Sequence, residues 1–551
     1  MKKFLLSALL CAALASCDET PSTQNAQTAV PYQMSETALA DHIETLASDA
    51  FGGRAPGSPG EEKTVSYISK AFKDAGLTPA NQGRYVQEVP LVSIETQDSP
   101  LLKIAGGKTP LDFTYRQDQV LWTRQEASET FLADSELVFV GYGIYAPERG
   151  WNDYKDIDVT GKTVVILIND PGYATQDDTL FNGNAMTYYG RWGYKLDEAA
   201  RQGAAGALII HDTKPAAYPW ATVDSSWTGP LFDIVRSDKG ASLSAVEGWI
   251  TTKTADALFK AAGLDRETLS KAAQSADFKA VTMNLTATTK LTNKVDHVTS
   301  RNVAGFVKGS KYPDEAFIYM AHWDHIGTDA TVEGDGIYNG ALDNATGTAG
   351  LIELARAYAR GKTPERSVLF LAVTAEEQGL LGSAYYAANP LFPLAQTVGG
   401  LNMDGLNNYG PTNDVSVVGL GNSELDDFLT QAATEQNRVL SGDQEPEKGY
   451  FYRSDHFELA KMGVPMLYPG PGYDHKTKGR SYVEEITKAY VAHNYHTPSD
   501  EYDASWDMSG AIEDLTLYYN TGWLVVNSRQ WPNWREGSEF KGIRDMQRAS
   551  K

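Results

Sequence analysis

Apolar positions change their period several times along this 551-residue chain. Residues 36 to 76 carry them at helical spacing, interrupted by Phe51-Gly52-Gly53-Arg54-Ala55-Pro56-Gly57-Ser58-Pro59-Gly60. That density of Gly and Pro predicts a loop. A helix follows over roughly Glu61 to Ala75, stopped by Gly76. Residues near 85 to 140 read as short strands. Within a segment of different texture, Leu137 to Gly143, Lys162 to Ile168 and Ala207 to Ile210 read as strands and Leu196 to Gly203 as a helix. From Asn302 onward strand, loop and helix repeat. Strands are expected at Phe317 to Ala321, Ser367 to Val373, Val398 to Met403 and Val464 to Tyr468. A helix is expected at Asn344 to Arg360, with Gly361 as its C-cap. The alternation predicts an α/β fold, a mainly parallel mixed sheet with helices on both faces.

The first residues carry a different message. Met1-Lys2-Lys3 is basic, and Phe4 to Leu14 is apolar but too short to span a bilayer. Leu14-Ala15-Ser16-Cys17 then sets small residues before a cysteine, the layout of a secretory signal. It resembles a bacterial lipobox, which implies a signal peptide over 1–17, lipid on Cys17 and a lipoprotein facing the periplasm. Residues 18–35 read as a flexible tether. Cys11 and Cys17 are the two cysteines of the chain, so cleavage before Cys17 leaves no intramolecular disulfide. The formal charge of −23 disfavours nucleic acid and anionic surfaces as partners. It leaves peptides open as a substrate.

The candidate chemistry lies in the second half. His322 and Asp324 follow one expected strand, Glu376 and Glu377 another, and Asp404 a third. Asp343 precedes a helix, and His496 sits in the loop Tyr495-His496-Thr497-Pro498-Ser499-Asp500. Ligands of open α/β sheets bind at the carboxyl ends of strands, so one sheet edge could gather these groups. Each alone has an ordinary explanation: a polar turn, an N-cap, an exposed acidic pair. Together, and in this order, they resemble co-catalytic zinc peptidases of the aminopeptidase Y and glutamate carboxypeptidase group. The matching segments are Ala321-His322-Trp323-Asp324-His325, Gly340-Ala341-Leu342-Asp343-Asn344, Ala375-Glu376-Glu377-Gln378-Gly379, Asn402-Met403-Asp404 and Tyr495-His496-Thr497. Arg54-Ala55-Pro56-Gly57-Ser58 and Arg453-Ser454-Asp455-His456-Phe457 are similar to further family segments.

The resemblance implies two Zn2+ ions, one held by His322, Asp404 and a bridging Asp343, the other by Asp343, Glu377 and His496. It implies Glu376 as general base, Asp324 as the group orienting His322, and Tyr495 as donor to a developing oxyanion. Imidazole and carboxylate suit zinc, and a zinc-bound His usually gives its other N–H to a carboxylate. His325 and His456 are expected to be supporting groups. Arg453 could meet a polar group of the substrate or brace acidic residues. Residues 131–290 resemble a β-rich protease-associated domain inserted into a catalytic domain of residues 36–130 and 291–551. The aromatic cluster Tyr188, Tyr189, Trp192 and Tyr194 is expected to be packing. The expected activity is that of an aminopeptidase. A carboxypeptidase, a glutaminyl cyclase-like acyltransferase and a non-catalytic receptor are the rivals. The intact ligand set and base argue against the last two.

Overall fold

The computed structural model describes residues 32–549; the signal peptide, Cys17 and most of the tether lie outside the described residues. Strands Tyr312–His322, Arg366–Val373 and Thr397–Asn402 run parallel side by side, with Met466–Leu467 beyond them. Arg366–Val373 is buried at every position, as a strand covered on both faces should be. The 27-residue strand Val281–Val307 joins this sheet antiparallel and shows alternating burial over its first half. It is long enough to serve two halves of one sheet. Its end pairs with Val86–Thr96 and Arg366–Val373, and its beginning pairs with Leu102–Ala105 and Glu129–Phe139.

Helices cover both faces of the first half. Glu36–Leu46, Pro59–Ala75, Thr346–Arg360 and Ser509–Val526 pack on one side, while Leu381–Ala388 and His456–Lys461 pack on the other. Pro59–Ala75 starts where Ser58 caps Gly60 and Glu61 with Pro59 at its first position, and stops at Gly76 in the left-handed region. Thr346–Arg360 is buried almost all round, as a helix enclosed between the sheet and its neighbours must be. Two expectations change here. The helix begins at Thr346 rather than Asn344, because residues 341–345 form a wider turn in which the Asp343–Asn344 peptide is cis. Gly361 sits at the C-cap but is extended (φ −85°) rather than left-handed, so the chain leaves the helix by straightening.

The second half of the sheet is also α/β. Strands Glu129–Phe139, Thr163–Leu167, Gly206–His211 and Val246–Thr251 run parallel, with Gln119–Trp122 antiparallel at the edge. The side chains of Leu102, Ile104, Phe113 and Leu121 belong to this half's core. Residues 102–122 therefore pack with the 131–290 segment and not with the first half, where the sequence pattern put them. Short strands on both sides of residue 130 look alike in sequence; the apolar edge they must cover is visible only in three dimensions.

Candidate active site

The parallel register sets the site. His322 pairs with Val373, and Met320 with Asn402, so three strands end at one edge and release His322, Glu376, Glu377 and Asp404 together. After Val373 the chain turns through Ala375, whose φ of +53° is left-handed. Both following N–H groups then point at one carboxylate: Glu376 N–H and Glu377 N–H donate to the two oxygens of Asp324, at 3.1 and 3.4 Å. Asp324 was expected to orient His322. The structure gives that ring the Asp324 backbone carbonyl, 3.2 Å from Nδ1, with the carboxylate at 3.8 Å. The Asp324 side chain is committed to the Glu376–Glu377 turn, since two backbone donors outcompete one imidazole edge.

Asp343 lies between two histidines. Its Oδ1 is 3.4 Å from His322 Nε2 and its Oδ2 is 3.2 Å from His496 Nε2. His322 Nε2 also approaches Asp404 Oδ1 at 3.1 Å, and His496 Nε2 approaches Glu377 Oε2 at 3.1 Å. His322, Glu376 and Asp404 form one group whose ligand atoms could share an ion; His325, Asp343 and Glu377 form a second. Tyr495 stacks its ring on His496, centroids 3.9 Å apart. The eight residues singled out in the sequence thus fall in one cluster.

Supporting contacts came less readily from sequence. Asp500 accepts N–H bonds from Leu342 and Asp343 and the hydroxyl of Tyr490, at 3.0 to 3.1 Å. Ser454 and Tyr468 donate to Asp404 Oδ2 at 2.7 and 3.4 Å. His325 Nδ1 lies 2.6 Å from Glu377 Oε1. Arg54, fully buried, donates to the carbonyls of Leu46, Trp323, Asn339 and Gly340, tying the loops that carry His325 and Asp343. Gly340 is left-handed, and a Cβ there would overlap the Asp343 carbonyl and the His325 ring. The motif segments flagged Arg54, Gly340, Ser454 and Asp500 only as neighbours of candidates. Tyr468 carried no signal.

Charge in the cluster is unbalanced. Asp324, Asp343, Glu376, Glu377, Asp404, Asp455 and Asp500 surround three imidazoles and one guanidinium. Burial, reinforced by Glu377, Asp404 and Asp455 against the pull of His322, holds the Glu376 carboxyl well above its ordinary range. Burial lifts Asp324 to about 7 and Asp455 to about 8. Burial and Asp343 would raise Glu377 too, yet the imidazoles of His325 and His496 hold it down at about 2. Burial would lower His496, but Asp343 and Glu377 push it up to about 10. Such an excess of carboxylate oxygen beside imidazole nitrogen fits divalent cations, and the donor types fit zinc.

Two predictions arise from this shell. Asp500→Asn should weaken zinc binding roughly 10–100-fold, the usual cost of losing a partner behind a ligand; metal titration with a competing chelator measures it. His456 is buried against Phe451 and Tyr468, and burial outweighs the Phe451 carbonyl to push its pKa from 6.5 down to about 3. The unfolded chain then binds this proton more readily, so His456 costs stability as pH falls below about 6.5. His456→Phe should flatten the decline of melting temperature between about pH 6.5 and 4, read by circular dichroism.

Comparison with known proteins agrees with this geometry. Residues 302–520 match the profile of Peptidase family M28. A probable zinc metalloprotease of Pyricularia oryzae is 39% identical over 104 residues, 19% of this chain and 20% of that protein. The aminopeptidase NAALADL1 of Mus musculus is 34% identical over 118 residues, 20% of this chain and 14% of that protein. The matches thus span a fifth or less of these relatives' lengths. Among solved structures, an aminopeptidase from Aneurinibacillus sp. strain AM-1 is 21% identical, with a TM-score of 0.48 over 92% of this chain and 95% of that one. The stretch that resembles peptidase family M28, residues 302–520, is the one that carries the ligand cluster at its sheet edge.

Proposed function

We propose that this protein is an exported, zinc-dependent aminopeptidase that removes N-terminal residues from peptides. The observation that carries the reading is Asp343, whose two oxygens face different histidines, as a carboxylate shared by two cations would. His322, Asp404 and Asp343 would hold one zinc; Asp343, Glu377 and His496 would hold the other. The pair would supply Lewis acidity, bringing a water's pKa towards 7 and polarising the scissile carbonyl. Glu376, buried with a raised proton affinity, takes a proton from the attacking water and hands it to the leaving amine. The Tyr495 hydroxyl donates to the charge growing on the carbonyl oxygen. Asp324 fixes the backbone beneath Glu376 and Glu377, and Asp500 does so for Asp343. The surplus of carboxylates favours a cationic amino terminus over a substrate carboxylate at this spot.

Aminoacyl arylamides should be hydrolysed and their N-acetylated forms should not. Equal cleavage of blocked substrates, or release of C-terminal residues alone, would overturn the reading. We also read residues 131–290 as a protease-associated domain that limits access. A cleft of about 670 Å³ runs between this segment and the turn that follows Glu377, lined by Asp197 and Arg236 on one side and Gln378 and Gly379 on the other. Anchoring through lipid on Cys17 rests on the sequence around it. Labelling with radioactive palmitate, lost in Cys17→Ala, tests it.

A further inference from the structure

Most buried cations of this acidic chain have an acceptor: Arg54 has four carbonyls, Arg124 has Asp197 and Glu247, and Arg438 has Asp514. Arg191 and Arg453 do not. Both are half-buried, and neither guanidinium has a hydrogen-bond or ion-pair partner among the described residues; of their nitrogens, Arg453 Nε and Nη2 are fully buried without one. Arg453 has only the ring of Tyr450 beneath it, 5.4 Å from its centroid. The two come from different parts of the chain that meet face to face. Met186 N–H donates to Pro446 O at 3.1 Å, and the Tyr188 ring packs on Phe457 at 5.2 Å and on Tyr452 at 6.3 Å. Burial and Arg453 together lower the Arg191 pKa to about 10, so the two like charges feel each other. A third donor points into the same place: the Tyr218 hydroxyl is buried without a partner, beside both arginines. Arg453 bonds no carboxylate beside it: Asp455 takes the Ser383 hydroxyl on Oδ1 and leaves Oδ2 without a partner, and Asp404 takes the Ser454 hydroxyl.

Buried donors without acceptors are costly and rare, and two guanidiniums forced together cost more. A group that supplies oxygen and negative charge would repay both. We propose that Arg191, Tyr218 and Arg453 form a carboxylate-binding site between the 131–290 segment and the 302–520 segment, and that it holds a carboxylate of the peptide substrate. The planar forks of two arginines suit a carboxylate, which can accept paired N–H bonds. Arg453 adjoins Ser454, the residue that holds Asp404, so the site borders the candidate metal cluster. On the aminopeptidase reading, the acidic cluster takes the peptide's amino terminus and the arginine pair takes a carboxylate further along. That arrangement selects short peptides with a free C-terminus, or peptides with an acidic side chain.

Initial rates on Ala-Ala against Ala-Ala-amide, and on Ala-Asp-amide against Ala-Asn-amide, distinguish the two sources of carboxylate. The wild-type protein should prefer the carboxylate member of one pair by on the order of tenfold or more in kcat/KM. Arg191→Met should bring that ratio to about one, and Tyr218→Phe should lower it several-fold. Equal rates within both pairs, or a ratio unchanged by Arg191→Met, overturn the proposal. A second readout needs no turnover. Succinate should raise the melting temperature of the wild-type protein and leave that of a folded Arg191→Met unchanged. If no substrate is cleaved but succinate discriminates in this way, the aminopeptidase reading fails and the carboxylate site stands. If succinate stabilises both proteins alike or neither, the site fails.

Discussion

Glu376→Gln is expected to retain its metal and lose turnover by about 10²–10⁴-fold, the range that a positioned proton carrier supplies. The side chain is nearly isosteric, and its backbone N–H keeps its bond to Asp324. The fold and the ligand atoms therefore stay, and only the proton shuttle goes. Burial and the carboxylates of Glu377, Asp404 and Asp455 raise the proton affinity of Glu376 against the pull of His322, which suits a group that must accept a proton and release it in each turnover. The loss should appear in kcat, with KM for an aminoacyl arylamide little changed. Wild-type turnover in the variant would remove Glu376 from the chemistry.

Asp343→Asn should have a larger effect on metal. Asp343 has one oxygen 3.4 Å from His322 and the other 3.2 Å from His496, so on the proposed two-zinc reading it would serve both ion positions at once. The amide keeps the shape, withdraws one negative charge and replaces one acceptor oxygen with a donor. Zinc content should fall at both positions together. Activity should fall by more than the roughly 10–100-fold that loss of an outer partner costs. Asp404→Asn should spare the position at Glu377 and His496, and comparison of the two variants by elemental analysis separates a shared ligand from a terminal one.

Much of the site was legible because strand ends and chemistry coincide in the sequence. The runs before His322, Glu376 and Asp404 are apolar enough to be buried parallel strands, and polar groups directly after such runs must emerge at one edge. The side chains that hold the ligands were harder to see. Asp500, Ser454 and Tyr468 act through contacts between segments 50 to 158 residues apart, and nothing local marks such pairing. The bonds of Asp324 to the Glu376–Glu377 backbone were missed for a related reason: the left-handed turn at Ala375 presents two N–H groups that a residue pattern does not show. The edge near residue 130 was misplaced because Leu102 and Leu121 look the same whichever core receives them. Arg453 was left open in sequence between a substrate contact and a brace; its two buried, unpartnered N–H groups decide against the brace.

The central claim is that five side chains grip two zinc ions across Asp343. Anomalous diffraction at the zinc edge, from crystals of the purified zinc-loaded protein, tests it most directly. The account predicts two peaks per chain, one beside His322 and Asp404 and the other beside Glu377 and His496. A single peak, or zinc bound away from Asp343, would contradict it.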